Sequence, residues 1–271
     1  MKRIYLREEI PDTSCKHENW TAIIPAAGRG SRLGYSRPKV LYPILGRPIL
    51  EWLMESLIAS VTKVVWVVSP EGRSEIENEL NARSSGTPFG IAVQQSPLGM
   101  GDAVLQAQPL VDTLHCVVLW GDQVTVSPRT VQLTQALHES RTNAKLTLPT
   151  IWQRDPYIHF ERAESGRIVR VLQARSAPIL LESGENDCGL FAFRTSTLFA
   201  LLQEAAERHR NQSSHEELDL LPLFPFLDQE PGELACWRLD DPGQALGVNA
   251  LEDAGKAEDL LCQRLKTNSM S

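Results

Sequence analysis

The chain has 271 residues, of which 42% are hydrophobic and 23% are charged, an apolar fraction sufficient for a globular core. Its 34 acidic residues outnumber the 27 lysines and arginines, and the resulting net charge of -7 argues against a general nucleic-acid binder. A membrane-spanning helix is excluded because no run of about 18 apolar residues occurs, and the first residues lack the apolar stretch of a secretory signal.

The first half of the chain alternates short apolar runs with segments of helical spacing. Continuous apolar runs, typical of strands buried on both faces of a parallel sheet, occupy residues 21–26, 63–69, 89–95 and 115–122. Helical spacing is found between them at residues 48–60, 70–83 and 101–111. This alternation predicts an open, right-handed, doubly wound α/β sheet.

The pattern changes after about residue 150. A Ser-Gly turn between "YIHFERA" and "RIVRVLQA" predicts a β-hairpin. Further along, the sequence predicts a strand in "DCGLFAFRT", a helix over 197–210, a polar loop "NQSSHEELD", a strand in "LACWRL" and a last helix from Asn249 to about Arg264. We expect a loose N-terminal extension over 1–19, one domain over 20–265 and a tail over 266–271.

The five cysteines are odd in number and form no C-x-x-C pair, which argues against a zinc ribbon or a redox dithiol. Cys116 and Cys188 lie in apolar runs, where a small buried thiol is the commoner interpretation. We therefore expect a cytoplasmic protein in a reducing compartment.

Residues 23–53 are the most informative segment, because a strand leads there into a loop rich in glycine and arginine. Small residues allow the backbone to approach a ligand, and successive N–H groups can cradle a phosphate. The small residues are Ala26, Ala27, Gly28 and Gly30, and the neighbouring cations are Arg29, Arg32 and Lys39. This density of donors and positive charge indicates a triphosphate ligand.

Other phosphate-binding motifs fit the same segment less well. Gly28, Gly30 and Gly34 nearly match a dinucleotide fingerprint, but that motif needs its last glycine in a helix, and Pro38 disfavours one nearby. A Walker A loop would end in G-K-[ST], which is absent. A purely structural turn would leave the cations beside the glycines unexplained.

The segment resembles the signature of sugar-phosphate nucleotidyltransferases, G-x-G-[ST]-R followed by P-K. It is most similar to the uridylyltransferase domain of the N-acetylglucosamine-1-phosphate uridylyltransferases. Three later segments resemble that family in the same order: "QQSPLGMGDAVLQA" (94–107), "VVLWGDQV" (117–124) and "LGVNALEDAGKAE" (246–258). The resemblance covers residues 21 to 265 and implies a Rossmann-like open mixed, mainly parallel sheet with helices on both faces, of the nucleotide-diphospho-sugar transferase type.

The resemblance also implies roles for individual residues. Arg32 would hold the β- and γ-phosphates, Lys39 would bridge the α-phosphate and the incoming phosphate, and Asp122 and Asn249 would bind Mg²⁺. The implied nucleotide-binding residues are Pro25, Ala26, Ala27, Gly28, Arg29, Gly30, Gln94, Gly99 and Gly121. Simpler interpretations stay open: Asp122 as the cap of a turn, Asn249 as a helix N-cap, and Gln94 as an exposed polar residue ending a strand.

The sugar-phosphate side departs from the family pattern. His159, Gln173 and Asp187 fall where the resemblance places sugar-phosphate contacts, but the family has other residues there. Met100 and Asp102 likewise replace a threonine and a histidine in the nucleotide block. Arg170 and Arg175 are candidates for the acceptor phosphate, with solvated surface charge as the alternative.

The resemblance implies an enzyme that joins an NTP, favoured to be UTP, and a sugar 1-phosphate into an NDP-sugar with release of pyrophosphate. Two alternatives stay open: a CTP-dependent cytidylyltransferase acting on a non-sugar phosphate or phosphonate, and a nucleotide-sugar sensor without catalysis. We expect small-molecule substrates, no nucleic acid and no membrane insertion, and the oligomeric state is open. The β-helix acetyltransferase of bifunctional relatives is not expected.

Overall fold

The computed structural model describes residues 4–12, 17–83, 86–211 and 217–268. Parts of the predicted extension, polar loop and tail lie outside these ranges, as does Cys15. The strands within them are β1 (Ile4–Tyr5), β2 (Trp20–Pro25), β3 (Pro43–Ile44), β4 (Arg47–Pro48), β5 (Lys63–Val68), β6 (Phe89–Val93), β7 (His115–Leu119), β8 (Leu146–Arg154), β9 (Ile158–Arg162), β10 (Ile168–Gln173), β11 (Ser183–Asp187), β12 (Leu190–Arg194) and β13 (Leu234–Arg238). The α-helices are α1 (Ile49–Leu57), α2 (Arg73–Arg83), α3 (Met100–Gln106), α4 (Pro128–Glu139), α5 (Thr195–Asn211) and α6 (Leu251–Asn268).

The main sheet of the described residues runs in the order β1-β13-β8-β12-β7-β2-β5-β6, with β11 pairing the far end of β8. Strands β7, β2, β5 and β6 are parallel, while β12 is antiparallel to both of its neighbours. β9 and β10 form the predicted hairpin. The predicted mixed, mainly parallel sheet is therefore confirmed.

Both faces of this sheet are covered, as the continuous apolar runs predict. On β2, Trp20, Ala22 and Ile24 belong to a buried cluster with α1, α2 and α6, while Ile23 belongs to the opposite cluster with α3 and α5. Successive side chains of a strand point to opposite faces, so a strand buried on both sides is apolar at every position. None of the helices in the described ranges has the length and apolarity that a bilayer crossing requires.

Three elements differ from the sequence prediction. The predicted helix over 101–111 ends at Gln106 and continues as a short 3₁₀ turn containing Pro109, which cannot donate a helical hydrogen bond. The strand predicted in "DCGLFAFRT" is two strands, separated at Gly189 with its positive φ of 66°. The last helix begins at Leu251 and extends to Asn268.

The beginning of the chain is not a loose extension over residues 4–10. Ile4 and Tyr5 form an edge strand parallel to β13, in register with Cys236 and Trp237. Tyr5 and Ile10 are buried in a cluster that includes Trp237. This part of the predicted extension therefore belongs to the sheet and its core.

An aromatic cluster packs the amino-terminal ends of β2 and β7, the two strands that lead into the glycine-rich loop and to Asp122. Trp20 stacks on His115 with ring centroids 4.9 Å apart, and His138 of α4 meets both rings edge-on. Nδ1 of His138 lies 2.9 Å from Oγ1 of Thr147, and its Nε2 is buried without a partner. Charging His138 would place an uncompensated cation in this core.

Because His138 is buried in this aromatic cluster, we expect the free energy of unfolding to decrease in acid. Burial lowers the pKa of His138 to about 3, and the charges of His115 and Arg194 act in the same direction. The unfolded chain takes up this proton near pH 6.5, so the stabilisation is complete above that pH and is lost as the pH falls towards 3.

We expect His138→Gln to flatten the pH dependence of the free energy of unfolding by about 1.4 kcal/mol per pH unit between about pH 6 and 4, measured by urea denaturation. His209→Gln, at the half-exposed end of α5, is the control and should keep the wild-type slope. Equal slopes for His138→Gln and the wild type would contradict the prediction.

Candidate active site

A cleft of about 720 Å³ opens beyond the carboxyl ends of β2, β5, β6 and β7. Segments that follow these four strands line it: 25–29 after β2, 69–71 after β5, 94–95 after β6 and 121–122 after β7. Open α/β sheets bind their ligands in this position, because loops from adjacent parallel strands meet there.

The loop after β2 is long but tightly folded. Ala26 N donates to Val67 O at 2.7 Å, and Lys39 N returns to donate to Gly28 O at 3.2 Å. Between these points the amides of Leu33 and Tyr35 both donate to Gly30 O. The loop is not one helix, as expected from Pro38, and it brings Arg29, Arg32 and Lys39 to the cleft.

The Lys39 ammonium group joins two of the predicted metal ligands. Its Nζ donates to Asp122 Oδ2 at 2.8 Å and to Asn249 Oδ1 at 3.1 Å. Arg32 Nη2 also donates to Asn249 Oδ1, at 3.3 Å. The Lys39 and Asp122 side chains are only 16% and 19% exposed, so solvent screens this pair less than a surface ion pair. Arg32, Lys39 and Asp122 line the cleft, and Asn249 lies within hydrogen-bond distance of Lys39 and Arg32.

The backbone around Asn249 is held by groups other than its own side chain. Asp253 Oδ2 accepts hydrogen bonds from the backbone amides of Asn249 and Ala250, at 3.0 and 2.9 Å, and so caps the start of α6. Val248 N donates to Asp122 O at 3.0 Å, which ties the two segments together. Asn249 also precedes the N-cap position, since α6 begins at Leu251, and its Oδ1 accepts from Lys39 Nζ and Arg32 Nη2.

The side-chain oxygens of Asp122 and Asn249 are suitable ligands for a hard divalent cation. Their Oδ2 and Oδ1 atoms converge on a single point, now the Lys39 ammonium. Mg²⁺ is typically held by one or two protein oxygens together with water and substrate phosphates. No cluster of three or more His, Cys, Asp or Glu suited to a metal occurs in the described ranges.

Gln94 is 6% exposed and lines the cleft, so its interpretation as an exposed strand-end residue is wrong. Its Nε2 donates to Gly99 O at 3.0 Å and to Asp102 Oδ2 at 2.7 Å. Gly99 and Gly101 lie close to the backbone of another segment of the chain, at Leu218. A Cβ at Gly99 would lie 2.5 Å from Leu218 O, and Gly101 N donates to that same oxygen.

The three residues predicted on the sugar-phosphate side are not among the described residues lining the cleft. Gln173 lies in an adjoining cavity and donates to Asp219 Oδ2 at 2.9 Å. His159 packs beside Gly184, and its Nδ1 is buried without a partner. Asp187 is buried and accepts from Gly189 N at 2.6 Å. Burial raises the pKa of Asp187 to about 6, and the charge of Asp122 adds to this effect.

The two arginine candidates lie in different environments. Arg170 is 68% exposed beside Glu161 and does not line the cleft, which agrees with solvated surface charge. Arg175 lines both the cleft and the adjoining cavity. Its guanidinium contacts Asp219, Gln173 and Glu217.

Further cleft residues, which carry no motif in the sequence, follow β5 and precede α2. Ser69, Pro70 and Glu71 line the cleft, and Gly72 N donates to Ser69 Oγ at 3.1 Å. Hydrogen bonds from the backbone and from Ser69 lower the pKa of Glu71. Their position directly after a predicted parallel strand was the available signal.

Comparisons with known proteins give one matching family and several curated relatives. The family described as MobA-like NTP transferase domain matches residues 22–213. Bifunctional protein GlmU of Desulfitobacterium hafniense (strain DSM 10664 / DCB-2) is 28% identical over 250 residues, which are 91% of this chain and 53% of the relative. The protein of the same name from Enterococcus faecalis is 28% identical over 258 residues, which are 93% of this chain and 54% of the relative. The chain spans about half the length of these curated relatives.

The junction of β2 and β7 predicts a strict requirement for glycine at position 121. A Cβ there would lie 2.5 Å from Pro25 O, closer than any relaxed contact. We expect Gly121→Ala to destabilise the fold by about 1–3 kcal/mol in urea denaturation, because backbone must move. Gly255→Ala in α6 is the matched control: its Cβ meets nothing within 4 Å, so the variant should be neutral or more stable. Equal stability of the two variants would contradict this packing.

Proposed function

The chain belongs to the MobA-like NTP transferase domain family and is a nucleotidyltransferase, and from that premise we propose that it joins UTP and a sugar 1-phosphate. A phosphate oxygen of the sugar phosphate attacks the α-phosphorus of UTP. The bond from that phosphorus to the β-phosphate oxygen breaks, and pyrophosphate leaves with the electron pair. The products are a UDP-sugar and pyrophosphate.

The convergence of Lys39, Asp122 and Asn249 carries this proposal. Lys39 Nζ lies 2.8 Å from Asp122 Oδ2 and 3.1 Å from Asn249 Oδ1, and Arg29 and Arg32 line the same cleft as Lys39. A polyphosphate needs cations and a metal site together, whereas a purely structural ion pair needs neither the arginines nor the second oxygen. A nucleotide-sugar sensor would not need this combination either.

The proposed roles follow from charge and position. Backbone amides of the glycine-rich loop and Arg32 bind the β- and γ-phosphates, and Lys39 neutralises charge on the α-phosphate and the acceptor phosphate. Asp122 and Asn249 would hold Mg²⁺, which supplies further positive charge to the phosphates when bound. Because the attacking oxygen is already anionic, no residue needs to remove a proton. Alignment and charge neutralisation therefore supply the catalysis.

The choice of UTP and a sugar 1-phosphate rests on the resemblance of four ordered segments and not on the cleft alone. The departures at His159, Gln173 and Asp187 keep a cytidylyltransferase acting on a non-sugar phosphate as the second candidate. The resemblance assigns these positions to contacts with the acceptor. A screen of acceptors separates the two candidates.

Lys39→Ala should lower the rate of pyrophosphate release from UTP, N-acetylglucosamine 1-phosphate and Mg²⁺ by about 10²–10³-fold, because one charge contact in the transition state is lost. Lys256→Ala, which removes an exposed lysine of α6, is the matched control and should keep wild-type turnover. Both variants should show native circular dichroism spectra. Wild-type turnover by Lys39→Ala would refute the role.

A pyrophosphate-release screen of four NTPs against sugar and non-sugar phosphates tests the substrate classes. We expect the highest turnover with UTP and a hexosamine or hexose 1-phosphate, and loss of turnover when EDTA removes divalent cations. Higher turnover with CTP and phosphocholine or a phosphonate would establish the second candidate. Nucleotide binding without pyrophosphate release from any pair would favour the sensor.

A further inference from the structure

The amide of Gln94 is held in one orientation by two acceptors. Its Nε2 donates one hydrogen to Gly99 O at 3.0 Å and another to Asp102 Oδ2 at 2.7 Å. Both N–H groups of the side chain are thus used inside the protein. No group of the described residues donates to the remaining polar atom, Oε1, although Gln94 lines the cleft.

The opposite orientation of the amide is unfavourable. It would turn Oε1 towards a backbone carbonyl and a carboxylate, neither of which can donate a hydrogen bond. The carboxylate contributes most to this preference because hydrogen bonds to ionised groups are the stronger ones. The Asp102 side chain is itself held by Gln106 Nε2, which donates to its Oδ1 at 3.1 Å from the next turn of α3.

We propose that Asp102 is a positioning residue that fixes Gln94 as a hydrogen-bond acceptor and thereby makes the cleft select a base with an N–H at the atom facing Gln94. The inference rests on the proposed function, since it requires the base of the nucleotide to lie beside Gln94. The new element is that Asp102 determines which base is selected. The motif that this segment resembles has a histidine at this position. A histidine can donate or accept a hydrogen bond, so it would not fix the Gln94 amide in one orientation.

Uracil and cytosine differ at the atom that would face Gln94. N3 of uracil carries a hydrogen and donates, whereas N3 of cytosine presents a lone pair. A buried acceptor facing a lone pair loses its hydrogen bond and is repelled. The cleft should therefore favour uracil over cytosine, and it should lose that preference in part when Asp102 loses its charge.

Isothermal titration calorimetry of the full chain with UTP and with CTP, in the presence of MgCl₂, tests this proposal without an acceptor substrate. We expect the wild type to bind UTP about tenfold more tightly than CTP, or better. Asp102→Asn, which can offer a donor as well as an acceptor, should lower this ratio of Kd values by about fivefold. Asp112→Asn, the same change at an exposed position, is the control and should keep the wild-type ratio.

A measurement on the unaltered protein complements the variants. 3-Methyl-UTP lacks the N3 hydrogen, and we expect it to bind the wild type at least about tenfold more weakly than UTP. Equal Kd values for UTP and 3-methyl-UTP, or for UTP and CTP, would overturn the proposal. So would an unchanged UTP-to-CTP ratio in Asp102→Asn.

The same experiment distinguishes the two levels of inference. Binding of UTP with an unchanged ratio in Asp102→Asn overturns the role of Asp102 alone and leaves the proposed function standing. Absence of binding by UTP and CTP alike overturns the proposed function and the base-selection rule with it.

Discussion

The cleft depends on one ammonium group that joins three distant parts of the chain. Lys39 is separated from Asp122 by 83 positions and from Asn249 by 210, yet its Nζ contacts both side chains. Because these groups are mostly shielded from water, the loss of one partner would leave the other with an uncompensated charge or dipole. The position of the glycine-rich loop, the end of β7 and the start of α6 are therefore linked through this contact.

The first half of the fold could be predicted because β2, β5 and β7 are buried on both faces and consist mostly of apolar residues. β8 could not be predicted in the same way. It contains Pro149, which in a sequence argues against an interior strand, and it changes partner from β12 to β11 along its length. α4 had a readable signal in Ser127-Pro128, since Ser127 Oγ accepts from Thr130 N and proline suits the first turn.

In the site, too, some features follow from the local sequence and others only from tertiary contacts. The topology of parallel strands places Gly28, Gln94 and Asp122 at one edge of the sheet, so their common cleft could be expected from the order of segments. The contact of Leu218 with Gly99 and Gly101 joins residues over a hundred positions apart, and no local sequence pattern predicts it. For the same reason, the orientation of the Gln94 amide could be inferred only from the positions of Gly99 O and Asp102.

The short strand β1 covers backbone groups of β13 that would otherwise form the open margin of the sheet. An uncovered margin offers a template on which a second chain can add its own strand. Removal of the residues before Trp20 would expose Cys236 and Trp237 in this way and would uncover the apolar patch now shielded by Tyr5 and Ile10. The opening residues thus make β13 an interior strand and complete the core around Trp237, at a distance from the cleft at the far end of β2.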